Sequence, residues 1–316
     1  MTNVPAPVQT NRGPQFSAAR ALTVVTPLVF AAALVGALSG REPWHTWFYS
    51  IAWWSLLLFL DAAVYRRRKE SLFLSHPHRF FFFAGFSVVL WFLFEALNLR
   101  LGNWTYQGLP AERPARWAGY ILAFATVVPA VMESADFLET CGWPFRGTGS
   151  PPRARLPGAA ISAAGALMLA AALAWPTLFF PFVWIAFALL VDPLNDRLGA
   201  PSLLRDWREG STRRLKLLLS AGLLCGLLWE ALNMPAGARW VYYLPGLDRM
   251  KVFEMPLPGY LGFPLFAVEV FALSSLALTL WDRSSKAFKA AVVLAAAGFV
   301  WILCGLVDRF TAGFPS

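Results

Sequence analysis

The chain has 316 residues, 58% of them hydrophobic, with 15 Trp and 27 Phe, whereas soluble globular domains run nearer about 45–50% apolar. Its apolar runs lack the polar stripes that a soluble helical core would show, which excludes an ordinary water-soluble globule. The net charge of +9 would suit a polyanion, but the basic residues are distributed as membrane topology demands, so no nucleic-acid partner is expected.

Residues 1–20 are polar and predict a cytoplasmic tail. Nine nearly charge-free runs follow, at about 21–38, 46–64, 79–98, 117–138, 157–174, 176–192, 214–233, 258–280 and 287–306. Each approaches the roughly 20 residues that a helix needs to cross about 30 Å of hydrocarbon. The run from Ala21 is too long for a signal-peptide core. The predicted fold is therefore all-α, a polytopic membrane helix bundle of about nine transmembrane helices.

With the N-terminus cytoplasmic, 19 of the 27 basic residues fall inside: Arg12 and Arg20, Arg66 to Lys69 with Arg79, Arg146, Arg153 and Arg155, the 197–216 cluster, and Arg283, Lys286 and Lys289. That asymmetry sets this orientation, and a bacterial inner-membrane location is expected. Cys141, Cys225 and Cys304 form no disulfide framework or metal spacing. His45, His76 and His78 are too scattered for a metal site, and no phosphate loop or dinucleotide fingerprint is present. No metal and no cofactor are expected.

The chain repeats itself. Trp44, Thr46, Phe48, Trp53, Leu58 and Asp61 align without a gap on Trp175, Thr177, Phe179, Trp184, Leu189 and Asp192, at an offset of 131. The offset becomes 135 at Glu95/Glu230, Asn98/Asn233, Pro110/Pro245 and Pro129/Pro264, then 136 at Trp104/Trp240, Tyr106/Tyr242 and Glu133/Glu269. Two parallel four-helix repeats are expected, 21–139 and 157–281, joined by a cytoplasmic linker at 140–156 and followed by an extra helix and short tail in 282–316. An even number of helices per unit keeps the copies parallel, related by a pseudo-twofold axis along the membrane normal. The extra helix carries an Ala- and Gly-rich face, Ala290, Ala291, Ala295 to Ala297 and Gly298, suited to close packing.

Three acidic pairs recur. Asp61 and Asp192 end helices beside Arg66 to Arg68 and Arg197, and are expected to pair with them at the headgroups. Glu95 and Glu230 each precede an Asn by three residues, so Glu95 shares a helix face with Asn98, and Glu230 with Asn233. Glu133 and Glu269 follow Pro129 and Pro264, which bend the fourth helix of each unit. Intramembrane acids usually face a bundle interior and mark a site. A carboxyl group withdrawn from water favours its neutral form, in which it can act as a general acid or proton relay. The candidate catalytic residues are thus Glu95, Glu230, Glu269 and Glu133. Candidate substrate-binding residues are Asn98, Asn233, Trp104, Tyr106, Trp229, Trp240, Tyr242 and Tyr260, whose rings could also stabilise a cation. Trp44, Trp47, Trp117, Trp175 and Trp281 sit at run ends, as an interfacial belt would. The segment from Phe253 to Pro264 holds three prolines and two glycines, and predicts a broken approach to the eighth helix beside any cavity.

Two motifs support a resemblance: Gly-Asn-Trp-Thr-Tyr (102–106) after an acidic helix end, and Pro264-Leu-Phe-Ala-Val-Glu269-Val-Phe271. Together they resemble the small membrane-embedded lycopene cyclases, built from tandem three-helix units. The resemblance implies an isoprenoid or carotenoid-like substrate and protonation of a terminal double bond, with Glu95, Glu230 and Glu269 as candidate acids. This chain has Glu95 and Glu230 where that family typically has Asp, and a single Glu269 where it has a Glu pair. A membrane lipid or hydrophobic small molecule is the expected partner; a proton-coupled carrier and a non-catalytic scaffold are the alternatives.

Overall fold

A computed structural model of the chain describes residues 13–143, 157–244, 246 and 250–312. Most of the expected tail and linker, with Arg12, Arg146, Arg153, Arg155 and Pro245, lies outside the described residues. The architecture is a polytopic all-α bundle. Helix α1 is Pro14–Leu38, starting inside the segment expected as tail, with α2 at Trp44–Arg68, α3 at Leu72–Ser75 and α4 at Pro77–Leu101. Strand β1, Trp104–Gln107, precedes α5 at Arg113–Phe124 and α6 at Val127–Thr140. Then come α7 at Gly158–Ala174, α8 at Pro176–Phe179, a 3₁₀ stretch at Phe180–Trp184, α9 at Ala186–Leu198, α10 at Leu203–Arg208 and α11 at Arg213–Asn233. Strand β2 is Arg239–Tyr242; the short pair β3 (Lys251–Val252) and β4 (Met255–Pro256) leads to α12 at Gly262–Arg283, and α13 is Lys286–Phe310. Eight of these helices, counting α5–α6 and α8–α9 each as one span, are long and apolar enough to cross a membrane; α7, expected as a span, is a shorter apolar helix of 17 residues.

Hydrocarbon offers no partner to a backbone amide, so each interruption of a span must be satisfied internally. Pro129 cannot donate, and α5 gives way to α6 just before it. Ser87 on α4 repairs the break: its hydroxyl donates to Phe124 O at 2.5 Å and accepts from Val128 N at 3.0 Å. These are the two groups that would have bonded each other in an unbroken helix.

Packing follows the same plan in both halves. Helix α1 lies on α2 as α7 lies on α9, α6 contacts α2 and α4, and α12 contacts α9 and α11. The α11–α12 contact is tight because Gly222 and Gly226 present a small surface, as small residues do in membrane helix pairs. A Cβ on Gly226 would stand 2.2 Å from the Phe263 ring, and one on Gly222 2.5 Å from Phe263 O.

The halves join through α6 against α11 and through a two-stranded antiparallel ribbon. Its register pairs Trp104 with Tyr242, Thr105 with Val241, Tyr106 with Trp240 and Gln107 with Arg239. Residues 136 apart in sequence exchange partners across the Thr105–Val241 pair, as a local twofold would arrange them. On the other edge of β1, Tyr106 N donates to Thr311 O at 2.8 Å.

Two expectations need correction. Among the described residues Asp61 and Asp192 do not pair with arginines; they cap short helices. Asp61 accepts from Ser71 Oγ at 2.9 Å, Phe73 N at 2.5 Å and Leu74 N at 3.1 Å, at the start of α3. Asp192 accepts from Ser202 Oγ at 3.0 Å, Leu203 N at 2.9 Å and Leu204 N at 2.7 Å, at the start of α10. A helix N-terminus supplies bare amides and a favourable dipole, which satisfies a buried carboxylate as well as a guanidinium does. Several nearby arginines bond other acids: Arg68 reaches Asp136 at 3.3 Å, Arg205 reaches Asp196 at 3.0 Å and Arg214 reaches Asp206 at 3.0 Å. The Ala- and Gly-rich face of α13 is also mostly exposed, and the helix is held at its other end by buried Leu303, Cys304 and Val307.

Replacing Gly226 with Leu should overpack the α11–α12 seam, costing about 1–3 kcal/mol or more. The thermal midpoint of the detergent-purified protein should fall clearly. Gly298→Leu, at a position whose added Cβ meets nothing within 4 Å, should leave that midpoint unchanged.

Candidate functional site

Glu95 sits on α4, fully buried, one turn after Trp91. Its Oε1 collects three donors: Trp91 Nε1 at 3.0 Å, Trp104 Nε1 at 2.9 Å and Tyr106 OH at 2.5 Å. Trp91 reaches the carboxylate from the same helix, whereas Trp104 and Tyr106 reach it from one face of β1, two residues apart as strand alternation requires. The second half repeats the plan with fewer donors: Tyr242 OH donates to Glu230 Oε1 at 3.0 Å. In both acids Oε2 is buried without a hydrogen-bond partner among the described residues. Tyr106 and Tyr242 titrate well above the ordinary phenol range because burial, then the facing carboxylate, disfavours the phenolate. Both therefore remain neutral donors.

The asparagines hold the strands. Asn98 Oδ1 accepts from Asn103 N at 2.8 Å and its Nδ2 donates to Trp104 O at 2.8 Å. Asn233 Oδ1 accepts from Trp240 N at 3.0 Å and its Nδ2 donates to Trp240 O at 2.8 Å. A side-chain amide mimics one rung of a strand, so each Asn fixes its strand over the Glu one turn earlier. Gly102, with φ +65°, makes the reversal that α4 needs to reach β1.

Between the halves lies a cavity of about 300 Å³. Six tryptophans line it, Trp47, Trp91, Trp104, Trp184, Trp229 and Trp240, with Tyr49, Tyr106, Tyr120, Tyr242 and Phe266 among the other walls. Phe266 is central, its ring 5.8 Å from Trp91, 5.7 Å from Trp184 and 6.1 Å from Trp229. The broken segment before α12 contributes Met255, Pro258, Gly259 and Leu261 to the lining. Leu261 is 72% exposed and Leu265 36%, so the cavity reaches the protein surface between apolar side chains.

Of the predicted site residues, Trp104, Tyr106, Trp229, Trp240 and Tyr242 come together in this lining. Glu95 and Glu230 stand behind it, separated from the cavity by the rings they bond. Asn98 and Asn233 are pins outside it, and Tyr260 donates to Val252 O at 2.9 Å within the broken segment. Glu269 lies elsewhere and caps α9, accepting from Phe187 N at 2.6 Å. That amide is bare because Pro181 breaks the helix before it; the residue matching Pro181 in the first half is Ser50, and α2 runs through unbroken. Glu133, which a sequence offset of 136 aligns with Glu269, has no such amide to accept from. Both its oxygens are buried without a hydrogen bond among the described residues, with Asp61 as the nearest acid.

Sequence reasoning missed a buried ion pair beside the cavity. Arg116 donates to both oxygens of Asp308, each at 2.8 Å, and to Pro110 O and Ala111 O at 2.8 Å. Trp117 Nε1 and Tyr120 OH also donate to Asp308, at 2.9 and 3.0 Å. Trp117 is thus an anchor for α13, and Trp47 a lining residue, as well as members of the expected belt. The one acid of α13, near the end of its long apolar stretch, was the available signal. Among the described residues no group of three metal-binding side chains forms.

No protein-family model matches the chain, and neither curated proteins nor solved structures provide a match.

Replacing Glu95 with Leu would orphan the Trp104 and Tyr106 donors, at about 1–3 kcal/mol each, and leave Trp91 Nε1 only its 3.3 Å bond to Tyr106 OH. The variant should unfold at markedly lower temperature, whereas Glu95→Gln, which keeps an acceptor oxygen, should lose much less. Equal losses would mean that the acceptor is unimportant.

Proposed function

We propose that this integral membrane protein binds an apolar, isoprenoid- or carotenoid-like lipid in the aromatic cavity between its halves. The observation that carries the proposal is the lining itself: aromatic rings from both halves, with exposed Leu261 and Leu265 at its edge. Ligand pockets are concave and mostly apolar with a few placed polar groups, and flat aromatic walls suit a flat, unsaturated chain. Glu95 and Glu230 take part indirectly, by orienting the rings that a ligand would touch. Acid chemistry of the cyclase or isomerase type would pass through Tyr106 and Tyr242, whose hydroxyls stand between the carboxylates and the cavity. With the arginine-rich end cytoplasmic, the cavity belongs to the outer half of a bacterial inner membrane.

A proton-coupled carrier receives less support, because Glu269 caps α9, Glu133 makes no hydrogen bond among the described residues, and neither lines the cavity. A pure scaffold would have no use for an opening to the surface.

The six lining tryptophans supply the test. A long conjugated polyene added to the detergent-purified protein should quench intrinsic fluorescence saturably, near one molecule per chain, and a colourless isoprenoid should relieve the quenching. Mass spectrometry should find a prenyl-type lipid copurifying. Quenching that rises linearly, as simple micelle partitioning gives, would defeat the proposal.

A further inference from the structure

The cavity wall is apolar but not neutral. Two arginines are among its lining residues, Arg116 and Arg239. Arg116 is neutralised by its two-pronged bond to Asp308. Arg239 is different. It opens β2 opposite Gln107, is half-buried, and its side chain makes no hydrogen bond or ion pair among the described residues. Other lining residues also supply donors without acceptors: Asn103 Nδ2 and Trp229 Nε1 are buried and unpartnered. The unpartnered acceptors, Oε2 of Glu95 and of Glu230, belong to residues outside the lining.

A cation held against low-dielectric walls is costly unless something offsets its charge. Among the described residues no such partner is found, while the rest of the wall offers donors and aromatic faces. We infer that the ligand is an amphipathic lipid: an unsaturated apolar chain among the tryptophans, and an anionic headgroup, phosphate or carboxylate, on Arg239. The planar guanidinium matches either oxyanion through paired N–H bonds. Arg239 begins the strand that carries Trp240 and Tyr242, so the headgroup would lie at the ribbon end, where the aqueous phase is nearest. This inference rests on the cavity being a lipid site.

Two probes with the same chain separate the inference from that premise: farnesyl phosphate and farnesol, competed against the bound polyene in detergent. In the native protein farnesyl phosphate should compete about tenfold better than farnesol. Arg239→Gln should bring farnesyl phosphate down to the level of farnesol, and Arg239→Lys should restore part of the preference, weakening as salt rises. Inorganic phosphate at millimolar concentration should not compete. Equal competition by the two probes in the native protein, or a preference that survives Arg239→Gln, would overturn the headgroup assignment and leave the apolar site standing. Competition by inorganic phosphate would also overturn it, marking a free-anion site. If neither probe displaces the polyene, the lipid-site reading falls together with the inference.

Discussion

The antiparallel pairing of Trp104–Gln107 with Arg239–Tyr242 is the contact on which the rest of the site depends. An isolated two-stranded ribbon is marginal in water. Here each strand is pinned to the end of a membrane helix by an asparagine, and the rings on one face are bonded to a carboxylate below. Register matters because a slip of one residue would turn Trp104 and Tyr106 away from Glu95. The glutamates therefore act as anchors for aromatic side chains, and the cavity is the space that those anchored rings enclose.

The two halves meet similar demands with different chemistry. Where the first half keeps α2 whole, the second breaks the equivalent helix at Pro181 and uses Glu269 to cover the exposed amide. Where the first half repairs the α5–α6 break with the Ser87 hydroxyl, the second places Gly222 at the matching position and brings α12 into contact. Each solution satisfies or removes the same backbone groups. The asymmetry gives one half a broken, proline-rich segment that can line a cavity.

Much of this was legible in the sequence. Apolar run length gave most of the spans, and the Glu–Asn spacing, with Trp and Tyr alternating downstream, gave the core of the site. The spacing could not distinguish a carboxylate that faces a cavity from one that stands behind its aromatic wall, because both need the same neighbours. Asp61 and Asp192 looked like partners for the adjacent arginines, since a linear sequence does not show that the chain folds back to offer helix amides instead. Arg116 and Asp308 are separated by most of the chain, and nothing local links them. Helix α13 carries small residues on a mostly exposed face, so their packing value could not be judged from pattern alone.

The bond from Tyr106 N to Thr311 O has a consequence for biogenesis. Strand β1 emerges from the ribosome early, yet its second edge is covered only after both halves and α13 have been threaded into the bilayer. Until then one row of backbone groups faces whatever is nearby, a situation that favours unwanted strand pairing. Closure of the aromatic wall is thus coupled to the order of synthesis, and a chain stalled before α13 would carry an open seam.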